Sequence, residues 1–123
     1  MEEAPGLQVE GAKISREIVQ LLKRHVGRGP TKARTYLNEE CVLVLLREGQ
    51  TVSEQTLYDS GEARSVAQGR VDVSEILRDP LMQVVEGHAG RKVSGFLSSS
   101  QQEPDLLDFV FVLETSPLAK PED

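Results

Sequence analysis

Apolar residues recur at threes and fours in some stretches of this chain. In others they run together or fall at every second position. From Ala12 to Val26, the residues Ile14, Ile18, Leu21, Leu22 and Val26 share one helical face, and the charged side chains lie largely elsewhere. Gly27 stands where a left-handed cap stops a helix, and Pro30 cannot continue one. Thr31 to Leu37 reads as a strand carrying polar residues, Asn38 to Glu40 as a turn, and Cys41 to Leu46 (CVLVLL) as a strand covered on both faces. So short a turn makes the pair an antiparallel hairpin.

Thr51 followed by Glu54 is a capping box, which predicts a short helix over Val52 to Asp59, broken by Ser60 and Gly61. A longer helical region begins near Glu62. Val66, Val73, Ile76, Leu77, Leu81, Val84, Val85 and His88 carry its stripe. Gly69 weakens its first part, and Asp79 before Pro80 reads as an N-cap with proline at the first helical position, so a kink or two abutting helices are expected there. Gly90 ends the second part. Lys92 to Ser99 is the third strand, with Val93, Gly95 and Leu97 on one face and Phe96 opposite. Ser98 to Asp105 is a loop, and Leu106 to Glu114 the fourth strand. Leu107, Phe109, Phe111 and Leu113 point one way along it, Leu106, Val110 and Val112 the other.

The expected fold is therefore α+β: a four-stranded antiparallel sheet of two hairpins, strand order 1-2-4-3, with helices packed on one face. The two apolar strands belong in the middle. Residues 11–114 form one domain between an acidic tail (1–10) and a proline-containing tail (115–123). Helices on one face leave half of CVLVLL and half of LLDFVFVLE uncovered, a larger apolar patch than a monomer ordinarily shows. A second copy in a two-fold homodimer is the simplest cover.

Composition narrows the function classes. The chain has 123 residues, 38% hydrophobic, with three Phe, two Tyr and no Trp, and a net charge of −6. That is enough for one core without staples, and poor in the basic and aromatic surface that nucleic-acid binding needs. The lone Cys41 excludes an internal disulfide and a cysteine-rich zinc site, and its apolar setting reads as a small buried hydrophobe. The first residues lack the apolar stretch of a secretory signal, and no window is long enough for a spanning helix, so a cytoplasmic protein without membrane insertion is expected.

No catalytic constellation emerges. Gly27 to Pro30 with Thr31, Lys32 and Arg34 invites a phosphate-loop reading. Here, however, the glycines follow a helix and feed a strand, so the helix end presents carbonyls rather than N–H groups. Helix capping is the favoured reading. The competing one is an anion or nucleotide site built from the side chains of Arg28, Lys32 and Arg34, joined by Arg91 and Lys92 should the two basic turns meet in space. His25 and His88 stand far apart with no ligand-spaced partners, and no metal or cofactor is implied. No Gly-x-Ser-x-Gly elbow occurs. Asp108, a carboxylate inside an apolar strand, either faces out at an edge or pairs with a basic residue, across a dimer seam among other places.

Several spaced motifs together resemble a known bacterial family. They are Ile14-Ser-Arg-Glu-Ile-Val19, Gly27-x-Gly29-Pro30, Thr51-x-x-Glu54-x-x-Leu57, Gly90-Arg91-Lys92-Val93 leading to Phe96-Leu97, and Phe111-Val112-Leu113-Glu114. The chain is similar over residues 10–114 to the MpsC family, named for a sodium-translocating, membrane-potential-generating system. The resemblance implies association with a membrane system linked to inorganic-carbon uptake; together with the lack of a catalytic constellation and the two-sided apolar sheet, it leads to the expectation of a non-enzymatic accessory or regulatory protein acting by protein–protein contact, with a membrane transport complex as partner. It carries over no catalytic residue.

Overall fold

A computed structural model describes residues 5–27 and 29–115. Arg28, the first four residues and residues 116–123 lie outside this range, and with them part of the expected N-terminal tail and most of the C-terminal one. The elements run α1 (Pro5–Val26), β1 (Lys32–Leu37), β2 (Cys41–Arg47), α2 (Val52–Asp59), α3 (Ala63–Ile76), α4 (Arg78–Ala89), β3 (Val93–Gln102) and β4 (Asp105–Leu113). The four strands form one antiparallel sheet in the order β1-β2-β4-β3, as expected. Helix α1 begins at Pro5 rather than near Ala12, so residues 5–10 are helix and not tail.

The apolar runs lie side by side, with Val42 opposite Phe111 and Val44 opposite Phe109. This sets the inner face of the sheet: Val42, Val44, Leu46, Phe109, Phe111 and Leu113 are buried there against Ile14, Ile18 and Leu22 of α1 and Leu77, Leu81 and Val85 of the α3–α4 arm. Gly11 lets α1 lie directly on β1, since a Cβ at that position would meet the Thr35 carbonyl oxygen at 3.0 Å. One turn on, the Ser15 and Thr35 hydroxyls share a buried hydrogen bond of 2.7 Å.

Three local features differ from the sequence reading. A β-bulge at Ser94 shifts the register between Val93 and Gly95. Val93 and Phe96 therefore both face inward, opposite Leu113 and Phe111, while Leu97 faces out. A strict two-residue period placed Val93 with Leu97 because it cannot see an inserted residue. The second hairpin is also longer than expected. Ser98 to Gln102, expected as loop, continues β3 to a tight turn at Glu103 and Pro104. Its inward polar groups meet polar groups of α3: Ser98 Oγ lies 3.3 Å from Ser74 Oγ, and Gln102 Nε2 donates to the Ala63 carbonyl. Finally, α3 and α4 join at Leu77 rather than at Asp79, whose side chain caps nothing. Pro80 falls in the first turn of α4, where backbone N–H groups lack intrahelical partners in any case.

Candidate functional site

The inner face carries one deep cavity, of about 370 Å³, between the C-terminal half of α1, helices α2 to α4, and strands β2 and β4. Leu22, Val26, Leu46, Leu81, Leu107 and Phe109 supply apolar wall, and Glu54, Arg70 and Asp105 are its only charged lining among the described residues. Each of the three is positioned by local structure. Glu54 is the N3 residue of the capping box, accepting from the Thr51 backbone N–H at 2.9 Å while its own N–H donates to Thr51 Oγ1. Arg70 projects from α3 on the stripe that includes Val66 and Val73. Asp105 opens β4 and accepts from the Gln50 backbone N–H at 2.7 Å.

Arg70 closes the group. Its Nε donates to Glu54 Oε2 at 3.1 Å and its Nη2 to Asp105 Oδ1 at 2.9 Å. The Arg70 side chain is 9% exposed, against 20% for Glu54 and 17% for Asp105, so the guanidinium is the most enclosed of the three. Burial works against its charge. Hydrogen bonding and charge attraction from Glu54 and Asp105 outweigh this and hold its pKa above the ordinary arginine value. The ion triad fastens α2, α3, the 48–51 turn and the start of β4 to one another.

A second titratable cluster ties α1 to α4. His88 Nδ1 lies 3.0 Å from Glu10, and its Nε2 bonds Glu17. Lys13 pairs with Glu10 at 3.4 Å. The Glu17 bond chiefly, opposed by partial burial and helped by Glu10, raises the His88 pKa, and the His88 bond lowers that of Glu10. The stabilisation from raised His88 is complete below its ordinary value of about 6.5 and is lost as pH rises through the higher folded value. That from lowered Glu10 is complete above about 4.3 and is lost as pH falls through its lower folded value. Thermal unfolding should therefore show the cluster's contribution greatest between these limits. Replacing His88 with glutamine should remove the alkaline decline; an unchanged pH profile in that variant would refute the assignment.

Among the described residues, the basic side chains proposed from sequence do not form one group; Arg28 lies outside them. Lys32 stands opposite Arg47 at one end of the first hairpin, 3.8 Å from Glu48. Arg34 lies over the Tyr36 ring, its guanidinium carbon 5.0 Å from the centroid. Arg91 is at the other end, donating to the backbone carbonyls of Glu39 and Glu114. Exposed Lys92 adjoins it. The six residues of β1 separate the two ends by roughly 17 Å, so Lys32 and Arg91 cannot share a small anion. Lys32, Arg34 and Arg47 instead make a basic corner on the outer face of the sheet.

That outer face is built of cross-strand rows. Tyr36, Leu43, Val110 and Leu97 form one, Arg34, Leu45, Asp108 and Ser99 the next, and Cys41, Val112 and Gly95 a third. Every hydrophobic side chain in them keeps some solvent exposure, Leu97 most at 64%. Asp108 accepts from the Ser99 backbone N–H and from Ser99 Oγ, both at 2.8 Å, so the carboxylate is held on this face by its own neighbour.

These features define a small α+β protein whose sheet is layered by helices on one side and, among the described residues, left uncovered on the other. Among the described residues no cluster of three or more His, Cys, Asp or Glu side chains could hold a metal, and no helix is long and apolar enough to cross a membrane. The chain belongs to the MpsC family: residues 8–115 match the model described as "Na+-translocating membrane potential-generating system (MpsC)". Neither curated proteins nor solved structures give a significant match.

Proposed function

We propose that the protein is a non-catalytic accessory component of its Na+-translocating system, acting as a homodimer through protein–protein contacts on the cytoplasmic side of a membrane transport complex. The observation that carries this reading is the outer sheet face. Its rows of Tyr36, Leu43, Val110 and Leu97 and of Cys41 and Val112 are apolar, and none of these side chains is fully buried. A second copy fits the charge pattern better than an unrelated apolar surface. Arg34 and Asp108 lie in one row, two strands apart. A two-fold axis parallel to the strands beside β2 sets Arg34 opposite Asp108 of the second copy, and the same pair forms twice.

The test is the mass of the chain in solution. Light scattering at micromolar concentration should give a dimer for the unaltered chain and a monomer for Leu43→Arg. That substitution places a charge at a partly open position, so the variant should keep its circular dichroism. Arg34→Glu should weaken pairing and Asp108→Arg in the same chain restore it. A monomeric mass for the unaltered chain would end the dimer reading. Native membranes that yield no membrane subunit of the system with the immobilised chain would end the accessory reading.

A further inference from the structure

The cavity beneath the Arg70 triad lies on the other side of the sheet from the outer face, and the pairing proposed above leaves it unused. We propose that it is a binding site for a small organic cation: an apolar body with an amine or amidine head, seated with the head against Glu54 and Asp105.

Size and lining come first. About 370 Å³ falls in the range of small-molecule clefts, and walls of Leu22, Val26, Leu81 and Phe109 with a polar group at one end match how such clefts are built. The sign of the head follows from the charge count. Two carboxylates and one guanidinium leave the lining one negative charge in excess among the described residues. Arg70 has little left to draw an anion: its Nε and Nη2 are committed to Glu54 and Asp105, and its Nη1 lies 3.5 Å from the Leu106 carbonyl. An entering carboxylate or phosphate would reach only Nη1, against the repulsion of both carboxylates.

Acceptors, by contrast, are in surplus. A carboxylate offers about four lone-pair sites. Asp105 uses two, for Arg70 Nη2 and the Gln50 N–H, and Glu54 uses three, for Thr51 N, Arg70 Nε and a long contact from Arg70 Nη2. Spare acceptors and net negative charge beside an apolar chamber call for a ligand that brings donors and positive charge.

The experiment uses three probes of one shape: benzylamine, benzyl alcohol and benzoate. Each is titrated into the full chain and followed by the amide resonances of Gly69, Arg70 and Leu107. Benzylamine should shift these saturably, at least tenfold more tightly than the alcohol, and benzoate should not bind. Gly69→Leu is the control for location. Gly69 lines the cavity, and a Cβ there meets nothing within 4 Å, so the longer side chain can occupy the mouth without disturbing α3. This variant should retain the melting temperature and lose benzylamine binding. No saturable response to benzylamine, binding of benzoate as tight as that of the amine, or a titration unchanged by Gly69→Leu would each overturn the proposal. Because Leu43→Arg alters only the outer face, a monomeric variant that still binds benzylamine separates failure of the dimer from failure of the site.

Discussion

Replacing Arg70 with methionine should destabilise the chain by about 3 kcal/mol at neutral pH, the lower end of what removing one partner of an enclosed ion pair costs. The low end applies because Glu54 and Asp105 keep 20% and 17% of their side-chain surface in solvent. The loss does not measure the worth of the triad. It arises because two carboxylates are left facing each other in a largely apolar setting, with the Thr51 and Gln50 N–H groups and limited solvent contact to offset their charge. One consequence separates this account from simple loss of packing. The penalty should shrink when Glu54→Gln and Asp105→Asn are added to the methionine variant, because a triad removed whole leaves no orphaned charge. Urea denaturation at pH 7 measures it. A loss below about 1 kcal/mol at pH 7, or a triple variant weaker than the single one, would show that the three groups are not coupled as described.

Much of this architecture is legible in two short runs. CVLVLL and FVFVL lack the polar alternation of a strand with one wet face, and each is adjacent in sequence to a more polar strand through a short connection. Those two facts are enough to put them in the middle and to give the order 1-2-4-3. The cap of α2 is equally readable, because Thr51 and Glu54 act within four residues of chain, whereas the cap expected at Asp79 is not formed. What failed to show depends on contacts between distant segments. The polar Ser98–Gln102 stretch reads as loop until α3 supplies Ser74 and the Ala63 carbonyl as partners. The bulge at Ser94 changes which side Phe96 faces without altering composition.

The site was less legible than the fold for the same reason. Lys32, Arg34, Arg91 and Lys92 are conspicuous in sequence because they flank glycines, yet β1 holds the two basic turns apart. Arg70 carries a fainter signal: it sits four residues after Val66 and three before Val73, a charged residue where the helical stripe calls for an apolar one. Such a position demands a buried counter-charge. Sequence does not reveal that Glu54, already committed to a cap, and Asp105, at the predicted loop boundary, provide it.

Phe111→Ala should cost about 4 kcal/mol, near the top of the range for a single core truncation. Phe111 is fully buried at the centre of the sheet, with Phe96 at 5.3 Å and Phe109 at 6.3 Å between ring centroids, so neighbours held on three strands and α1 cannot all collapse into the space. Phe111→Leu should cost less than half as much, since most of the volume stays filled. Phe96→Ala, on the edge strand and only partly buried, should fall between them. The neighbours of Phe111 on its own strand make the sharper comparison. Val110 and Val112 point to the outer face, so Val110→Asp should leave a monomer close to its original stability while abolishing pairing of two copies. The two substitutions are adjacent in sequence and opposite in expected effect, one striking the fold and the other the assembly. A slip of β4 by one residue would exchange their faces and reverse that ranking in urea denaturation, so the pair tests the register on which both the cavity and the outer face depend.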